Sequence, residues 1–112
     1  MSSDLNSMTV TSASAELADG HLSSRELVTA ELERIASRQD EVGAFLTVTA
    51  DAALEAAEAS DRRRAAGKSL GSLDGIPVAI KDNLLVEGVR ATAASKILEG
   101  YIASYDATVV TK

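Results

Sequence analysis

A short apolar run that ends in a lysine and two polar residues constrains the fold of this chain more than any other feature. The run GIPVAIKDN occupies residues 75–83 and follows a stretch at residues 67–75 that holds three glycines. An apolar segment of this length, opened by Gly and Pro and closed by Asp-Asn, is typical of a buried strand whose carboxyl end emerges at a polar site. Because Pro77 cannot donate a backbone hydrogen bond, it belongs at the start of such a strand or on an edge. The sequence therefore predicts a strand that begins at residue 76 and has Lys81 at its exit.

Three segments ahead of this run have the apolar periodicity and the end signals of helices. The sequence predicts helices at residues 11–19 and 24–38, and a third helix that is capped by Asp51 and runs to residue 66. The second helix has the strongest start signal, because Ser23 and Glu26 have the spacing of a capping box.

The rest of the chain carries weaker signals. Residues 1–10 are small and polar and predict a flexible N-terminus, and residues 44–49 predict a second short strand or extended segment. Ser95 is expected to start a helical turn that ends at Leu98. Asp106 is expected to cap a last element, whose β-branched residues leave helix and strand both open. In either case the chain is expected to end inside an element.

Composition and charge argue against several classes of function. The net charge is −6, which is unfavourable for a general binder of nucleic-acid phosphates. The one basic cluster is Arg62-Arg63-Arg64, and because consecutive residues fan around a helix, it is interpreted as a solvated face. The chain has no cysteine and a single histidine, His21, which we interpret as a solvent-facing turn residue. No metal site and no Ser-His-Asp arrangement can be built from this set of side chains.

The compartment is inferred from what the chain lacks. No apolar stretch approaches the ~20 residues that span a bilayer, and the N-terminal residues do not form a secretory signal. The absence of cysteine is compatible with a reducing environment. The sequence therefore predicts a cytoplasmic protein without a membrane partner.

Lys81 is the residue with the clearest chemical potential, and two interpretations of it are open. A lysine that ends a strand can simply extend its ammonium to solvent, and the residues alone favour this interpretation. Alternatively it is a base, which near neutral pH requires the ordinary lysine pKa of ~10.4 to be lowered by about 3 units. A base also needs a nucleophile, and the residues alone do not identify one.

The later motifs resemble those of the amidase signature family. The resemblance rests on three runs, which are SLDGIPVAIKDN at residues 72–83, TAASKILE at residues 92–99 and YDATVV at residues 105–110. The run ASKILE is typical of the A subunits of glutamyl-tRNA(Gln)/aspartyl-tRNA(Asn) amidotransferases, whereas many other members have Gly-Ser at Ala94 and Ser95. The resemblance implies an α/β fold in which helices pack on the first strands of a mixed sheet. It also implies that residues 11–112 are the N-terminal part of a single amidase domain, incomplete at the C-terminus.

The resemblance implies a catalytic role for one residue of this chain. In the family, the lysine of the Lys-Asp-Asn motif is the base of a Ser-cisSer-Lys triad, and it corresponds to Lys81. The nucleophilic serine and the cis-serine lie downstream in the family, and neither is present before Lys112. Ser95 is therefore expected to be a supporting residue rather than the nucleophile. The implied reaction is hydrolysis of glutamine to ammonia; this fragment alone is expected to be inactive, with Lys81 partly solvated.

The resemblance also implies partners, which are the B and C subunits of an amidotransferase. Ammonia would pass to the B subunit, which uses ATP and Mg²⁺ to convert the mischarged aminoacyl-tRNA into Gln-tRNA(Gln) or Asn-tRNA(Asn). No cofactor is expected in this chain itself. Two alternatives stay open: a truncated or complementing fragment that acts as a non-catalytic binding module, and a fragment of another amide hydrolase of the same family.

Overall fold

The structure, a computed structural model, describes residues 5–112. Its α-helices are Val10–Ala18 (α1), Ser24–Val42 (α2), Ala50–Ala65 (α3) and Thr108–Thr111 (α4), and short 3-10 helices occupy Leu5–Ser7 and Lys96–Leu98. The chain divides into two units, of which the first ends at Pro77 and the second is Val78–Lys112. No helix among the described residues is both long and apolar enough to cross a bilayer.

The three longer helices confirm the helical predictions, with shifted ends. The helix α2 continues past the predicted end to Val42, where Gly43 adopts a left-handed conformation and its N–H bonds to the carbonyl of Gln39. Asp51 lies in the first turn of α3 rather than at the cap, which is Thr49. Of the predicted flexible N-terminus, residues 1–4 lie outside the described residues, and residues 5–10 contain a 3-10 helix and the first residue of α1.

The apolar core of the first unit lies between α1 and the beginning of α2. Its buried members are Ala13 and Leu17 from α1, together with Leu22 and Leu27. Leu5, Met8 and Ile76 are partly buried and pack against this cluster. Ile76, the first residue of the apolar run, therefore belongs to the same core as the helices that precede it.

The first turn of α2 is capped twice. The hydroxyl of Ser23 accepts a hydrogen bond from the N–H of Glu26 at 3.0 Å, which is one half of the predicted capping box. The carboxylate of Asp61, on α3, accepts from the N–H groups of Ser24 and Arg25 at 2.7 and 3.0 Å. A helix leaves its first N–H groups without partners inside the helix, and a negative charge is favourable there. Asp61 thus ties α3 to the start of α2.

The glycine-rich stretch folds back onto the two long helices. The hydroxyl of Ser24 donates to the carbonyl of Gly75 at 2.7 Å. Gly75 has a φ of +94°, and a Cβ atom at this position would lie 2.7 Å from Oγ of Ser60 and 3.1 Å from Cβ of Ser24. A residue with a side chain would be both strained and overlapping, so this close approach requires glycine.

Asp74 fixes the same stretch from its other side. Its carboxylate accepts from Nη2 and Nε of Arg63 at 2.6 and 3.1 Å and from the N–H of Leu70 at 3.0 Å. Arg64 donates to the Asp74 carbonyl at 2.8 Å. The hydrogen bonds from Arg63 hold the pKa of the Asp74 carboxyl well below its usual range. Two of the three arginines that were interpreted as a solvated face therefore bind Asp74, and for these two that interpretation is wrong.

Neither predicted strand is present in the described residues, so the α/β prediction is not confirmed by this structure. In residues 44–49, the side chain of Gln39 takes the place of a strand partner, since it donates to the carbonyl of Phe45 at 2.5 Å and accepts from its N–H at 3.3 Å. Residues 76–80 have no ladder partner, and Val78 is 74% exposed. A strand needs a neighbouring segment for its backbone groups, and in the described residues the only pairing is an isolated antiparallel bridge between Arg90 and Ile102.

The second unit is held by backbone bonds between residues 85–91 and 101–107. Ala91 N–H donates to the carbonyl of Tyr101 at 3.1 Å, and Ala103 N–H donates to that of Val89 at 3.0 Å. Ala91 and Ala103 are both buried. The predicted turn at residues 95–98 is confirmed by the 3-10 helix there.

Asp106 does not cap the last helix, contrary to the prediction. The helix α4 begins after Ala107, and the Asp106 carboxylate accepts from the N–H of Glu87 at 2.7 Å instead. The pairing of residues 85–91 with residues 101–107 brings this amide beside the carboxylate, which a local cap pattern does not reveal.

The close approach of Gly75 to Ser24 and Ser60 predicts that a side chain at position 75 lowers the stability of the fold. We expect Gly75→Ala to destabilise the chain by about 1–3 kcal/mol more than Gly67→Ala, because overpacking adds to backbone strain. Gly67 is a matched control, since its φ is +70° and a Cβ there would meet no atom within 4 Å. Urea unfolding of both variants measures the difference, and equal losses would contradict the packing argument.

The lowered pKa of Asp74 predicts acid sensitivity of the first unit. When a carboxyl has a lower pKa in the folded state, its stabilisation is complete above the unfolded value of about 3.9 and is lost as the pH falls through the folded pKa. We therefore expect the free-energy difference between the wild-type chain and Asp74→Asn to be about 1–3 kcal/mol at pH 7 and to shrink below about pH 4.

Urea unfolding at pH 7, 5, 4 and 3 tests this expectation. Glu55→Gln, which changes an exposed carboxylate, controls for the loss of one negative charge. A difference between the wild-type chain and Asp74→Asn that stays constant from pH 7 to pH 3 would show that the bonds between Asp74 and Arg63 do not stabilise the fold.

Candidate functional site

Lys81, to which the family resemblance assigns the role of base, lies in the second unit and is exposed. Its carbonyl accepts a hydrogen bond from the N–H of Leu84 at 2.9 Å, which closes a turn over residues 81–84. Its ammonium forms no ion pair or hydrogen bond within the part of the chain that the structure describes. The backbone of Lys81 is thus fixed by a turn, while its side chain is left to solvent.

The residue after the lysine anchors this turn to a distant part of the unit. The Asp82 carboxylate accepts from the N–H of Thr92 at 3.0 Å through Oδ1, and the Thr92 hydroxyl donates to Oδ2. The Asp82 carbonyl also accepts from the N–H of Ala93 at 3.3 Å. The bonds from the hydroxyl and the amide of Thr92 lower the pKa of the Asp82 carboxyl, so it is ionised at neutral pH.

The backbone that follows Thr92 is strained. Ala93 and Ala94 have φ angles of +48° and +62°, a region that residues with a side chain adopt rarely and at a cost of roughly 1–2 kcal/mol each. Ala94 N–H donates to Oγ1 of Thr92 at 3.2 Å, and Ser95 N–H donates to the Thr92 carbonyl at 2.8 Å. Only glycine adopts a positive φ freely, so Ala93 and Ala94 are held in this conformation at a steric cost.

The structure brings together the lysine turn and the Thr92 segment, which sequence reasoning did not connect. Ten positions separate Asp82 from Thr92, and neither residue stands in a periodic pattern. The one signal in the sequence was the run TAASKILE at residues 92–99, which carries the family resemblance but contains no local pattern that places Thr92 beside Asp82.

The other residues considered from the sequence do not form a second site. His21 is exposed and lies 3.5 Å from the Glu16 carboxylate, in agreement with its interpretation as a turn residue. Ser95, predicted to be a supporting residue, is half-buried. Among residues 5–112 no group of three or more His, Asp or Glu side chains is placed to hold a metal ion. The chemistry that this arrangement offers is that of one exposed amine on an anchored turn.

Comparison with known proteins extends over almost the whole chain. Residues 26–112 match the profile of the Amidase family. The A subunit of the glutamyl-tRNA(Gln) amidotransferase of Chloroflexus aurantiacus (strain J-10-fl) is 50% identical over 107 residues, which are 96% of this chain and 22% of that protein. The protein of the same name from Anaeromyxobacter sp. (strain K) is 52% identical over 98 residues, or 88% of this chain and 20% of that protein. This chain thus spans about a fifth of the length of these relatives.

The fold also matches a solved structure. That structure is described as an unexpected vestigial protein complex that reveals the evolutionary origins of an s-triazine catabolic enzyme. The match has a TM-score of 0.87 and 32% identity and covers 93% of this chain and 23% of the other. The resemblance inferred from the motifs is confirmed, and the chain belongs to the amidase family.

Proposed function

We propose that this chain is the N-terminal part of the glutamine-hydrolysing A subunit of an aminoacyl-tRNA amidotransferase and that Lys81 is its catalytic base. The observation that carries the proposal is the match to A subunits at about half identity over 96% of the chain, which includes the Lys-Asp-Asn motif. The exposed ammonium of Lys81 on an anchored turn is compatible with a group that meets its reaction partners in another part of a larger subunit.

The proposed chemistry is amide hydrolysis through an acyl-enzyme. A neutral lysine takes a proton through a serine relay, the activated serine attacks the amide carbon of glutamine, and ammonia leaves. Water then resolves the acyl-enzyme, and donors at the oxyanion stabilise both tetrahedral intermediates. In this proposal both serines and the oxyanion donors belong to the remaining length of the subunit, of which this chain covers about a fifth.

We extend the proposal to the wider assembly in which an A subunit would work. Ammonia would pass to a B subunit, with a C subunit completing the complex, and the B subunit would bind aminoacyl-tRNA and use ATP and Mg²⁺. The cytoplasmic location predicted from the sequence belongs to this proposal as well. Within the complete subunit, residues 11–112 would form part of one amidase domain of α/β class. Residues 76–80 lie in no helix or turn and have no ladder partner, which is compatible with a strand there once a partner segment is present.

A second candidate function is a binding module or complementing fragment without activity of its own. Three large apolar side chains favour it, since Leu70, Val78 and Ile97 are 79%, 74% and 94% exposed. Large apolar side chains left in water mark contact surfaces or aggregation sites. Under either candidate function, these side chains are expected to be covered by another polypeptide segment.

Replacing Lys81 in a complete subunit tests the first candidate. In the Chloroflexus aurantiacus protein with this chain in place of its matched segment, we expect Lys81→Ala to reduce glutamine hydrolysis by about 10²–10⁴-fold, the usual contribution of a general base. Lys68→Ala, also an exposed lysine, is the control and should keep full activity. An unchanged rate of glutamine hydrolysis in Lys81→Ala would show that Lys81 is not the catalytic base.

Mixing the separate parts distinguishes the two candidates. We expect this chain alone to show no glutaminase activity, and expect activity when it is combined with the remaining segment of the Chloroflexus aurantiacus protein. Ammonia release and co-purification are measured on the same mixture. Activity that appears on mixing supports a glutaminase part, binding without activity supports the module, and turnover by the isolated chain contradicts both.

A further inference from the structure

Asp82 ties the turn that carries Lys81 to residues 92–93, through its carboxylate, which binds Thr92, and through its carbonyl, which accepts from the N–H of Ala93. Asp82 uses both oxygens on Thr92, one for its amide and one for its hydroxyl. A charged acceptor that binds two donors of one residue fixes direction as well as distance. Thr92 is buried, and its amide, hydroxyl and carbonyl all bond to protein groups of the second unit.

Thr92 also holds the strained backbone that follows it. Its hydroxyl donates to Asp82 and accepts from the N–H of Ala94, while its carbonyl accepts from Ser95. Left-handed residues such as Ala93 and Ala94 persist only where the surrounding structure over-determines their conformation. Backbone strain of this kind concentrates at functional sites. The two left-handed alanines beside the anchor of the proposed base therefore point to a functional role for this segment.

Lys81 needs such an anchor because no contact within residues 5–112 orients its ammonium. Its four-carbon side chain is flexible. What the chain itself fixes is the position of the Lys81 backbone, through the turn over residues 81–84. A displacement of 1 Å in a catalytic group can cost about 10²-fold in rate.

We propose that Asp82, acting through Thr92, is a positioning residue for the base Lys81. This inference rests on the proposed function, because it assumes that Lys81 is the base. It goes beyond that function by assigning a role to two residues that do not themselves touch the reacting atoms.

The first test is made on this chain and does not depend on activity. The N–H of Leu84 bonds to the carbonyl of Lys81, so its hydrogen exchange measures how firmly the turn is held. We expect Asp82→Asn and Thr92→Val to accelerate exchange at Leu84 and Ala94 at least about tenfold, while Thr92→Ser, which keeps the hydroxyl, stays near the wild-type rate. Exchange at His21, whose N–H bonds to the Glu16 carbonyl in the first unit, is the internal control. Unchanged exchange at Leu84 would overturn the proposal.

The second test is made in the grafted Chloroflexus aurantiacus protein. We expect Asp82→Asn and Thr92→Val to lower kcat for glutamine hydrolysis by about 10–100-fold with KM changed less than about twofold, and expect Thr92→Ser to restore kcat. In a Lys81→Ala background, Asp82→Asn should cause no further loss, because a positioning residue acts only through the base. A further loss in that background, or a change confined to KM, would overturn the proposal.

Comparing Lys81→Ala with Asp82→Asn and Thr92→Val distinguishes failure of this inference from failure of the proposed function. If Lys81→Ala is inactive while Asp82→Asn and Thr92→Val keep the wild-type kcat, the positioning role is wrong and the base assignment stands. If Lys81→Ala keeps full activity, the base assignment falls and the positioning role falls with it.

Discussion

The contact between the glycine-rich stretch and the two long helices is the constraint on which the first unit depends. Gly75 lies against Ser24 at the start of α2, and Asp74 lies against Arg63 in the last turn of α3. Asp61 closes the arrangement by binding the first N–H groups of α2 from α3. The start of α2, the last turn of α3 and the stretch that follows α3 therefore meet at one polar junction. Ionised hydrogen bonds are about twice as strong as neutral ones, so this junction contributes more than its few contacts suggest.

The helices could be predicted from the sequence because their signals are local. A cap such as Ser23, an apolar stripe and a closing glycine lie within one helix length, and the structure places α1, α2 and α3 where these signals stand. The strands could not be predicted from local signals in the same way. A strand is defined by its neighbour, and the apolar composition of residues 76–80 says nothing about which segment supplies that neighbour.

The polar junctions were missed for the same physical reason. Arg63 and Arg64 stood in a basic cluster on a helix, and only the return of the chain at residues 67–75 brings Asp74 to them. Asp106 had the local pattern of a helix cap but binds Glu87, nineteen positions away. At the candidate site the sequence indicated Lys81 from its place after an apolar run, whereas the anchor at Thr92 depends on a chain path that no local pattern encodes.

The apolar segment at residues 76–80 lies between two carboxylates that are hydrogen-bonded and have lowered pKa values. Asp74 before it is bound by Arg63, and Asp82 after it is bound by Thr92, each within its own unit. Both carboxyl groups have lowered pKa values, so both boundaries stay ionised at neutral pH. The residues between them have backbone groups without ladder partners. Because ordering a residue costs about 1–2 kcal/mol, each of these bonds lowers the freedom of the backbone next to it within its own unit. Under the proposed function, residues 76–80 would pair with a segment from the rest of the subunit, and the polar bonds on either side would hold the neighbouring residues in place, with Lys81 one residue beyond the end of the segment.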